Sequence, residues 1–409
     1  MLCKIAWRNL WRNRRRTQLT MGAMIFACAT LVFSLGYYDG MLWNMINNAT
    51  ARENGHISLA RPGYIDSPAL GDTITEAATI KLIKAANIVH KGMCPRINAY
   101  ALVSCGGGDD NRTQPAQVMG VDYQAESASS QLAADVYSGS FLSGRKGEIL
   151  LGKGLARKIR ATPGSEIVFF SSAADGSMAS ALFHVKGIFS SGDNLRDSGL
   201  AIVNIEELRL LMALEGQIHS IRIFLSNPMQ AEEIAASLSG QPAKIEARTW
   251  QSHFPQLAGL LKIWFNVQLF TSAIYYAALA LITFNTMYMA FLERIHEFAV
   301  MQAIGLTRVR LAGLILAESL MLASLSGLAG TIVGTLLNFS LYYYPIDLTR
   351  WIDNIAWGGT QLKAEIFCVP SITTVFLPML TMVLLGILVA AFPSMRLYYL
   401  KPVEALRES

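Results

Sequence analysis

Four long stretches of the chain are apolar and almost free of charge, and they alternate with segments in which polar residues return. A helix that crosses the hydrocarbon core of a bilayer needs about 20 predominantly apolar residues, and each stretch is long enough. The pattern therefore predicts four transmembrane helices, at residues 17–43, 263–292, 311–344 and 369–395.

The segment between the first two predicted spans, residues 44–262, has instead the polar and apolar mixture of a water-exposed domain. Strand and helix patterns form two strand–helix–strand units, at about residues 44–121 and 218–255. A β-rich insert at about residues 122–217 separates them. The predicted architecture is an α-helical membrane protein with a large α+β domain between its first and second spans.

Composition and charge indicate which side of the membrane each segment of the chain lies on. Charged residues make up 15% of the chain, against about 25% in an ordinary soluble protein, which excludes a wholly soluble chain. Twelve Lys and Arg against four acids fall at residues 1–16, 293–310 and 396–409. By the positive-inside rule these segments are cytoplasmic, and residues 44–262 and the short loop 345–368 are outside. The basic balance therefore predicts contact with inner membrane lipids and no nucleic-acid partner.

Residues 1–16 carry the pattern of an amphipathic helix. Lys4, Arg8 and Arg12 recur every four residues, and Trp7 and Leu10 lie on the opposite side. Basic side chains reach anionic headgroups and tryptophan rings suit the membrane boundary, so we expect an elbow helix in the inner interface.

The residue pattern of segment 293–310, between the second and third spans, predicts a short helix that ends before the third span begins. Gly305 suits the left-handed residue that ends a helix, and Thr307 can cap the next one. A surface bearing Phe298 and Met301 between charged ends favours insertion into another protein's groove. An interfacial helix that covers the membrane surface explains the residues equally well.

Small and polar residues within the spans predict helix packing. Ser326, Gly330 and Gly334 recur at four-residue spacing, which lets another helix approach closely, and Asn285 is expected to hydrogen-bond across a helix interface. Glu318 is expected to have a structural role, because no basic residue accompanies it inside the spans.

Catalytic and cofactor signals are absent from the sequence. It has no phosphate-binding loop G-x-x-x-x-G-K-[ST], and its six His make no metal-ligand spacing with Cys or acids. We therefore expect no catalytic residue, metal or cofactor in this chain. Cys94 and Cys105 both fall in the predicted outer domain, where an oxidising compartment permits a disulfide; two free thiols are the alternative.

Three short motifs resemble those of the MacB/FtsX/LolC-type ABC transporter permeases. Residues 293–305 resemble their coupling segment "ER-x-x-E-x-A-x-x-x-A-x-G", residues 6–16 their "A-x-R-N-L-x-R-x-x-x-R" start, and residues 393–407 their proline-bounded tail. One span, a large external domain and then three spans is also the order of this family. Asn54 to Tyr64 resembles the "GHI…PGY" opening of the LolC/LolE-like, lipoprotein-releasing branch.

The resemblance implies a Porter-like external domain with a Sabre-like insert, in a bacterial inner-membrane permease that is not itself an enzyme. A separate ABC ATPase would bind ATP and Mg, and a second permease copy, identical or related, would complete the complex. The residues expected to couple the two subunits are Glu293, Arg294, Glu297, Phe298, Met301, Gln302, Ile304 and Gly305. Gln302 stands where the family usually has Arg or Lys.

Three functions are compatible with this resemblance. The first is mechanotransmission that releases lipoproteins from the inner membrane, with a lipoprotein substrate and a periplasmic carrier. The second is MacB-like efflux of drugs, peptides or toxins through an adaptor. The third is FtsX-like regulation of cell-wall hydrolases, against which the large insert weighs.

Overall fold

The computed structural model describes residues 2–12, 14–52, 54–106, 112–239, 245–348, 355–357, 360–362 and 365–398. The tail motif from Pro402 to Arg407 lies outside the described residues. The chain divides into two compact units. The membrane unit comprises Met1–Asn44, Leu260–Asp353 and Ala364–Ser409, and the α/β unit comprises Met45–Gly259 and Asn354–Lys363.

The helices are α1 (Leu2–Leu10), α2 (Arg14–Thr50), α3 (Glu76–Ala85), α4 (Tyr123–Ser129), α5 (Lys153–Ile159), α6 (Asn194–Asp197), α7 (Ile205–Leu211), α8 (Ala231–Ser239), α9 (Trp250–His253), α10 (Pro255–Glu293), α11 (Ile295–Ala303), α12 (Arg308–Tyr343) and α13 (Ile372–Tyr398).

The strands are β1 (Ile57–Ala60), β2 (Ile74–Thr75), β3 (His90–Cys105), β4 (Arg112–Val121), β5 (Val136–Gly139), β6 (Glu148–Gly152), β7 (Glu166–Ser172), β8 (Met178–Phe189), β9 (Leu200–Asn204), β10 (Gln217–Ile218), β11 (Ser220–Leu225), β12 (Glu246–Thr249), β13 (Ile346–Asp347), β14 (Ile355–Trp357), β15 (Thr360–Leu362) and β16 (Glu365–Ile366).

Four helices of the described chain, α2, α10, α12 and α13, are long and apolar enough to cross a membrane, as the hydrophobic pattern predicts. Helix α2 has 37 residues and α10 has 39. At a rise of about 1.5 Å per residue each is roughly 55 Å long, well beyond the ~30 Å of a hydrocarbon core. Both helices therefore continue past the length that a bilayer needs.

The predicted elbow helix ends earlier than expected. Helix α1 stops at Leu10, and Arg14 already begins α2, so the prediction of one helix over residues 1–16 is wrong beyond Leu10. The Thr17 hydroxyl donates a hydrogen bond of 2.6 Å to the Leu10 carbonyl oxygen. That carbonyl has no partner within the helix, and a side-chain donor from the next helix stabilises the break.

Apolar side chains and a few polar bonds join the helices of the membrane unit. Buried residues from all four long helices form one cluster that includes Met24, Leu279, Leu322 and Met382. The Asn338 amide of α12 donates to the Val32 carbonyl oxygen of α2 at 2.9 Å. Such side-chain bonds to backbone carbonyls supply the polar contacts that lipid cannot.

The α/β unit is built on a sheet in which ten of the described strands take part, in the order β12-β1-β11-β3-β4-β9-β6-β8-β5, with β7 pairing both β3 and β8. Strands β3, β4, β9, β6, β8 and β7 consequently pair in a closed ring. Strand β3 belongs to this ring and also to the rest of the sheet. Its first half pairs with β11, and its last residues pair with β7. The predicted insert at residues 122–217 is therefore not separate, because β3 and β4 supply two strands of its ring.

A buried ion pair lies in this unit beside its apolar core. Both nitrogens of the Arg96 guanidinium that face Glu126 donate to its carboxylate, at 2.7 and 3.0 Å. The two side chains are 1% and 0% exposed. Arg96 also donates to the Arg52 carbonyl oxygen at 2.7 Å, so the charges are paired and hydrogen-bonded. That arrangement is the condition under which buried charges are tolerated.

The structure contradicts the disulfide between Cys94 and Cys105, and both thiols are free. They lie eleven residues apart on the single strand β3, which separates them by roughly 35 Å along an extended chain. A disulfide needs Cα atoms about 4.4–6.8 Å apart. Both cysteines should therefore be alkylated in denatured, unreduced protein, as mass spectrometry can check. A linked peptide would contradict this placement.

Buried histidines predict that the α/β unit loses stability in acid. His56 Nδ1 accepts a hydrogen bond of 2.8 Å from the Leu225 amide, so the ring is neutral. Burial lowers the pKa of His56 to about 4. Below its unfolded pKa of about 6.5 the unfolded chain takes up a proton that the folded one does not. Stability is therefore full above pH 6.5 and falls towards pH 4, by roughly 3 kcal/mol for this group.

Denaturant unfolding of the full chain in detergent at pH 7.5 and 4.5 measures this effect. His56→Asn is the matched variant, because its amide oxygen can accept from Leu225 and does not titrate. The variant should lose clearly less stability over that interval than the wild-type protein. Equal losses in the two proteins would remove His56 from the explanation.

Candidate functional site

The segment between α10 and α12 contains α11, with an abrupt stop. The Gly305 amide donates to the Gln302 carbonyl oxygen and the Leu306 amide to the Met301 carbonyl oxygen, both at 3.0 Å. Gly305 has a φ of 102°, the left-handed conformation predicted for it, and these two bonds form a Schellman motif. Thr307 occupies the N-cap position of α12, although its side chain makes no capping bond.

The inner face of α11 packs on the chain's own helices. Phe298 and Ala299 are buried. Phe298 stacks on Phe291 of α10, with ring centroids 5.9 Å apart, and this cluster includes Leu311 of α12. Met301 is half-buried against the same cluster. Phe298 is therefore a core residue of this chain, so the expectation that it faces a partner is wrong. Met301 is only half-buried, and its contact with a partner stays a prediction.

The outer face of α11 is apolar and exposed. Val300 is 39% exposed and Ile304 is 79% exposed. His296, Ala303 and Gly305 are exposed on the same side. Among the residues predicted to couple this chain to an ATPase, Ile304 and Gly305 are thus the accessible apolar positions. Gln302 is half-buried and points its amide nitrogen into the interior.

Two arginines and two glutamates connect α11 to the N-terminus and to α12. Arg294 Nη1 lies 2.7 and 2.9 Å from the two carboxylate oxygens of Glu318, and its Nε lies 3.3 Å from Glu297 Oε2. Arg12 Nη2 donates to Glu297 Oε1 at 2.6 Å. Asn9 Nδ2 donates to Glu318 Oε1 at 2.7 Å. We call Asn9, Arg12, Arg294, Glu297 and Glu318 the polar network.

The two ion pairs of the polar network differ in exposure. The Arg294 and Glu318 side chains are 12% and 13% exposed, and those of Arg12 and Glu297 are 59% and 36% exposed. The bond from Arg12 holds the pKa of the Glu297 carboxyl below its usual range. Because exposed pairs contribute only about 0–1 kcal/mol, the firm connection is the sheltered pair between Arg294 and Glu318.

A cavity of about 290 Å³ adjoins the polar network. Asn9, Arg12, Arg294 and Glu318 line it together with Thr286 of α10. Glu293, at the end of α10, contributes a side chain to the same cavity and is exposed. The cavity therefore lies between the N-terminal segment, α10 and α12, beside the polar network.

The residues predicted to pack the spans have different surroundings. A β-carbon at Gly330 would lie 2.8 Å from the Ile25 carbonyl oxygen, and one at Gly334 2.8 Å from that of Ala29, so α12 meets α2 closely there. Ser326 is buried on the same helix. Asn285, expected to bond across a helix interface, is instead exposed on α10. No basic partner for Glu318 was expected, but Arg294, which lies outside α12, donates to its carboxylate.

Sequence reasoning missed Asn9 and Arg12 as site residues. Both belong to the N-terminal motif, which was interpreted as an interfacial helix and not as part of the coupling segment. The signal for them is that Asn9 and Arg12 both match the N-terminal pattern that resembles the permease family. The structure joins that motif to the "ER-x-x-E" motif through Glu297 and Glu318.

Two family models match the chain. The model of the FtsX-like permease C-terminal domain matches residues 269–402, which include α11 and Glu318. The model of the MacB-like periplasmic core domain matches residues 17–241, more than half of the chain. This chain is an ABC permease of the MacB and FtsX family. Such permeases and four apolar helices fit a bacterial inner-membrane protein with a MacB-like domain of mixed α/β structure.

The similar curated proteins carry one name. The lipoprotein-releasing system transmembrane protein LolC of Xylella fastidiosa, strain Temecula1, is 24% identical over 330 residues, which cover 77% of each chain. LolC of Neisseria meningitidis serogroup B is 22% identical over 277 residues, 64% of this chain and 65% of that one. ABC transporter permeases of this kind are generally not catalytic.

Two solved structures show detectable similarity to part of this chain. The periplasmic region of MacB from Actinobacillus actinomycetemcomitans is 13% identical, covers 52% of this chain and 95% of its own, and has a TM-score of 0.37. The extracellular domain of the ABC-type transporter YknZ from Gram-positive bacteria is 13% identical, covers 48% of this chain and all of its own, and has a TM-score of 0.33.

Proposed function

We propose that this permease transmits ATP-driven movement from a separate ATPase subunit to its α/β unit. The observation that carries the proposal is the polar network, which ties the N-terminal motif, α11 and α12 into one assembly beneath an exposed apolar surface. A partner that docks on Val300 and Ile304 would move this assembly as a unit. ATP and Mg would be held by that partner, and this chain would supply no catalytic group.

The two longest helices support transmission over distance. Helix α2 begins in the membrane unit and ends in the α/β unit, and α10 begins in the α/β unit and ends beside α11. A continuous helix carries displacement along its axis because its backbone bonds are all internal. Tilting of α10 by a docked ATPase would therefore reach residues of the α/β unit along the chain.

The most favoured substrate is a lipoprotein leaving the inner membrane, handed to a periplasmic carrier. The similarity to proteins named LolC supports this choice. Efflux through a periplasmic adaptor is the second candidate, favoured by the match to the MacB-like core domain over residues 17–241.

Exposed Asn285 on α10 supports a second permease chain beside it, since an amide in hydrocarbon needs a polar partner.

Reconstitution separates these candidates. The permease in proteoliposomes with its ATPase and a triacylated, fluorescent lipoprotein should release that lipoprotein on ATP addition when a soluble acceptor is present. The permease alone should neither hydrolyse ATP nor release cargo. ATP-stimulated export of a soluble peptide with no lipoprotein release would instead favour the efflux alternative.

The proposed orientation places both termini and α11 in the cytoplasm and the α/β unit outside. In a chain without its native cysteines, Ala174→Cys should react with an impermeant maleimide in intact spheroplasts, because residue 174 is exposed in the α/β unit. Thr307→Cys, also exposed, should react only after lysis. The reverse labelling order would refute the orientation.

A further inference from the structure

The end of α2 that lies in the α/β unit is held by donors from other elements of that unit. The carbonyl groups at the end of a helix have no partner within it, and the chain that follows α2 has two such partners from elsewhere. The Ala51 carbonyl oxygen accepts from the Gln131 amide at 2.9 Å. The Arg52 carbonyl oxygen accepts from Arg96 Nη2 at 2.7 Å. Neither donor belongs to β1, the strand that comes next along the chain.

An ion pair ties the same turn to the ring of strands. Arg52 Nε and Nη2 donate to the two carboxylate oxygens of Asp135, at 2.6 and 3.1 Å. The two side chains are 16% and 10% exposed, and a bidentate pair fixes orientation as well as distance. Asp135 directly precedes β5, and its carbonyl oxygen accepts at 2.9 Å from the amide of Ser190, which directly follows β8. Asp135 therefore connects the end of α2 to β8, a strand of the ring.

The start of α10 is held by a different part of the sheet. Helix α9 leads into α10, since the Phe254 amide donates to the Trp250 carbonyl oxygen at 2.9 Å. Trp250 is 1% exposed, and its Nε1 donates to the Pro228 carbonyl oxygen at 2.9 Å. Its amide donates at 3.0 Å to the carbonyl oxygen of His56, which directly precedes β1. The α10 side is thus fixed beside β1, a strand outside the ring.

We propose that the pair of Arg52 and Asp135 passes displacement of α2 to the ring, while α10 acts on the part of the sheet formed by β12, β1 and β11. This inference rests on the proposed transmission of ATP-driven movement. Strand β3 pairs with β11 of one part and with β4 of the other, so it is the place where a shift between the parts is taken up. Arg52 and Asp135 are positioning residues, because they act by fixing α2 to the ring.

Double electron–electron resonance on the full-length permease, assembled with its ATPase in nanodiscs, tests the proposal. In a chain without its native cysteines, spin labels are placed at Arg157→Cys and Glu233→Cys, both at exposed positions. The first lies on α5, which packs on β4 and β6 of the ring, and the second on α8, which packs on β12. Addition of ATP, Mg and vanadate should change the distance between the labels.

Asp135→Asn should lose most of that change and keep ATP hydrolysis, because a neutral amide cannot form the bidentate ion pair. Asp135→Glu, which retains the carboxylate, should keep more of it. Glu76→Gln is the matched control. It removes the ion pair of Glu76 with Arg209, whose side chains are 24% and 13% exposed, in the same unit and away from α2. This variant should keep the distance change.

The contrary outcomes have different meanings. A full distance change in Asp135→Asn would overturn the role of the ion pair and leave the proposed transmission standing. Equal loss in Glu76→Gln would show that any weakening of the α/β unit abolishes the change, which also overturns that role. No change in the labelled chain with Asp135 intact would refute the transmission itself, and the role of the ion pair with it.

Discussion

Replacing Ile304 by aspartate is expected to abolish the ATP hydrolysis that the assembled complex shows, while the permease itself remains folded. Ile304 is 79% exposed in the chain, so a carboxylate there reaches water and costs the fold little. In a complex with the ATPase the same carboxylate would be buried without a partner. Such a group costs about 3 kcal/mol or more, which corresponds to roughly a hundredfold loss of affinity.

Val89→Asp is the matched control for that variant. Val89 is 78% exposed and lies in the α/β unit, outside the predicted spans. ATPase activity and co-purification should be lost in the first variant and kept in the second. Normal assembly of the Ile304 variant would show that the outer face of α11 is not the docking surface. Met301→Asp would be less informative, because Met301 also packs on the inner cluster.

Removal of the Glu318 carboxylate should have the second largest effect. Glu318→Ala leaves the Arg294 guanidinium sheltered without its bidentate partner and deprives Asn9 of its acceptor. Breaking one partner of a buried pair costs about 3–5 kcal/mol, so the melting temperature in detergent should fall and ATPase stimulation should be lost. Glu297→Ala, at the exposed pair with Arg12, should cost less than about 1 kcal/mol.

A double-mutant cycle identifies the cause. Arg294→Met together with Glu318→Ala removes both charges, so the double variant should be more stable than the sum of the two single losses predicts, by more than about 1 kcal/mol. Strictly additive losses would mean that the two side chains do not stabilise each other. In that case the polar network would be a coincidence of packing and not a connection between α11 and α12.

The membrane part could be predicted well because hydropathy and length alone select helices that can span a bilayer. The four stretches coincide with α2, α10, α12 and α13. Helix ends were less predictable. The break after Leu10 depends on a bond from Thr17, a contact that leaves no periodic signal among the neighbouring basic residues.

The motif identifies the coupling segment, and Gly305 predicts where its helix ends. The sequence does not predict which side of that helix faces outward. The sequence predicts a docking surface that bears Phe298 and Met301. The structure uses them against Phe291 and Leu311, which lie in other helices. Similarly, Glu318 gained a partner from Arg294, 24 residues earlier, and such pairing depends on tertiary structure alone.

The α/β unit shows where local patterns fail. Strand periodicity predicts strand–helix–strand units, yet it cannot reveal that β3 extends to Cys105 and pairs with β7, because register and partner are set by distant strands. The proposed disulfide failed for the same reason. Both cysteines fall in the predicted outer domain, but they lie on one extended strand, which keeps them apart.

Site-specific photo-crosslinking shows whether an ATPase docks on the outer face of α11. Benzoylphenylalanine is introduced in place of Ile304, on the outer face of α11, or in place of Phe376, an exposed residue of α13. After irradiation of native membranes, the adducts are digested and sequenced. We expect position 304 to capture a polypeptide containing a G-x-x-x-x-G-K-[ST] loop and position 376 not to do so. Capture of lipid alone at position 304, or of the same ATPase at both positions, would contradict docking through α11.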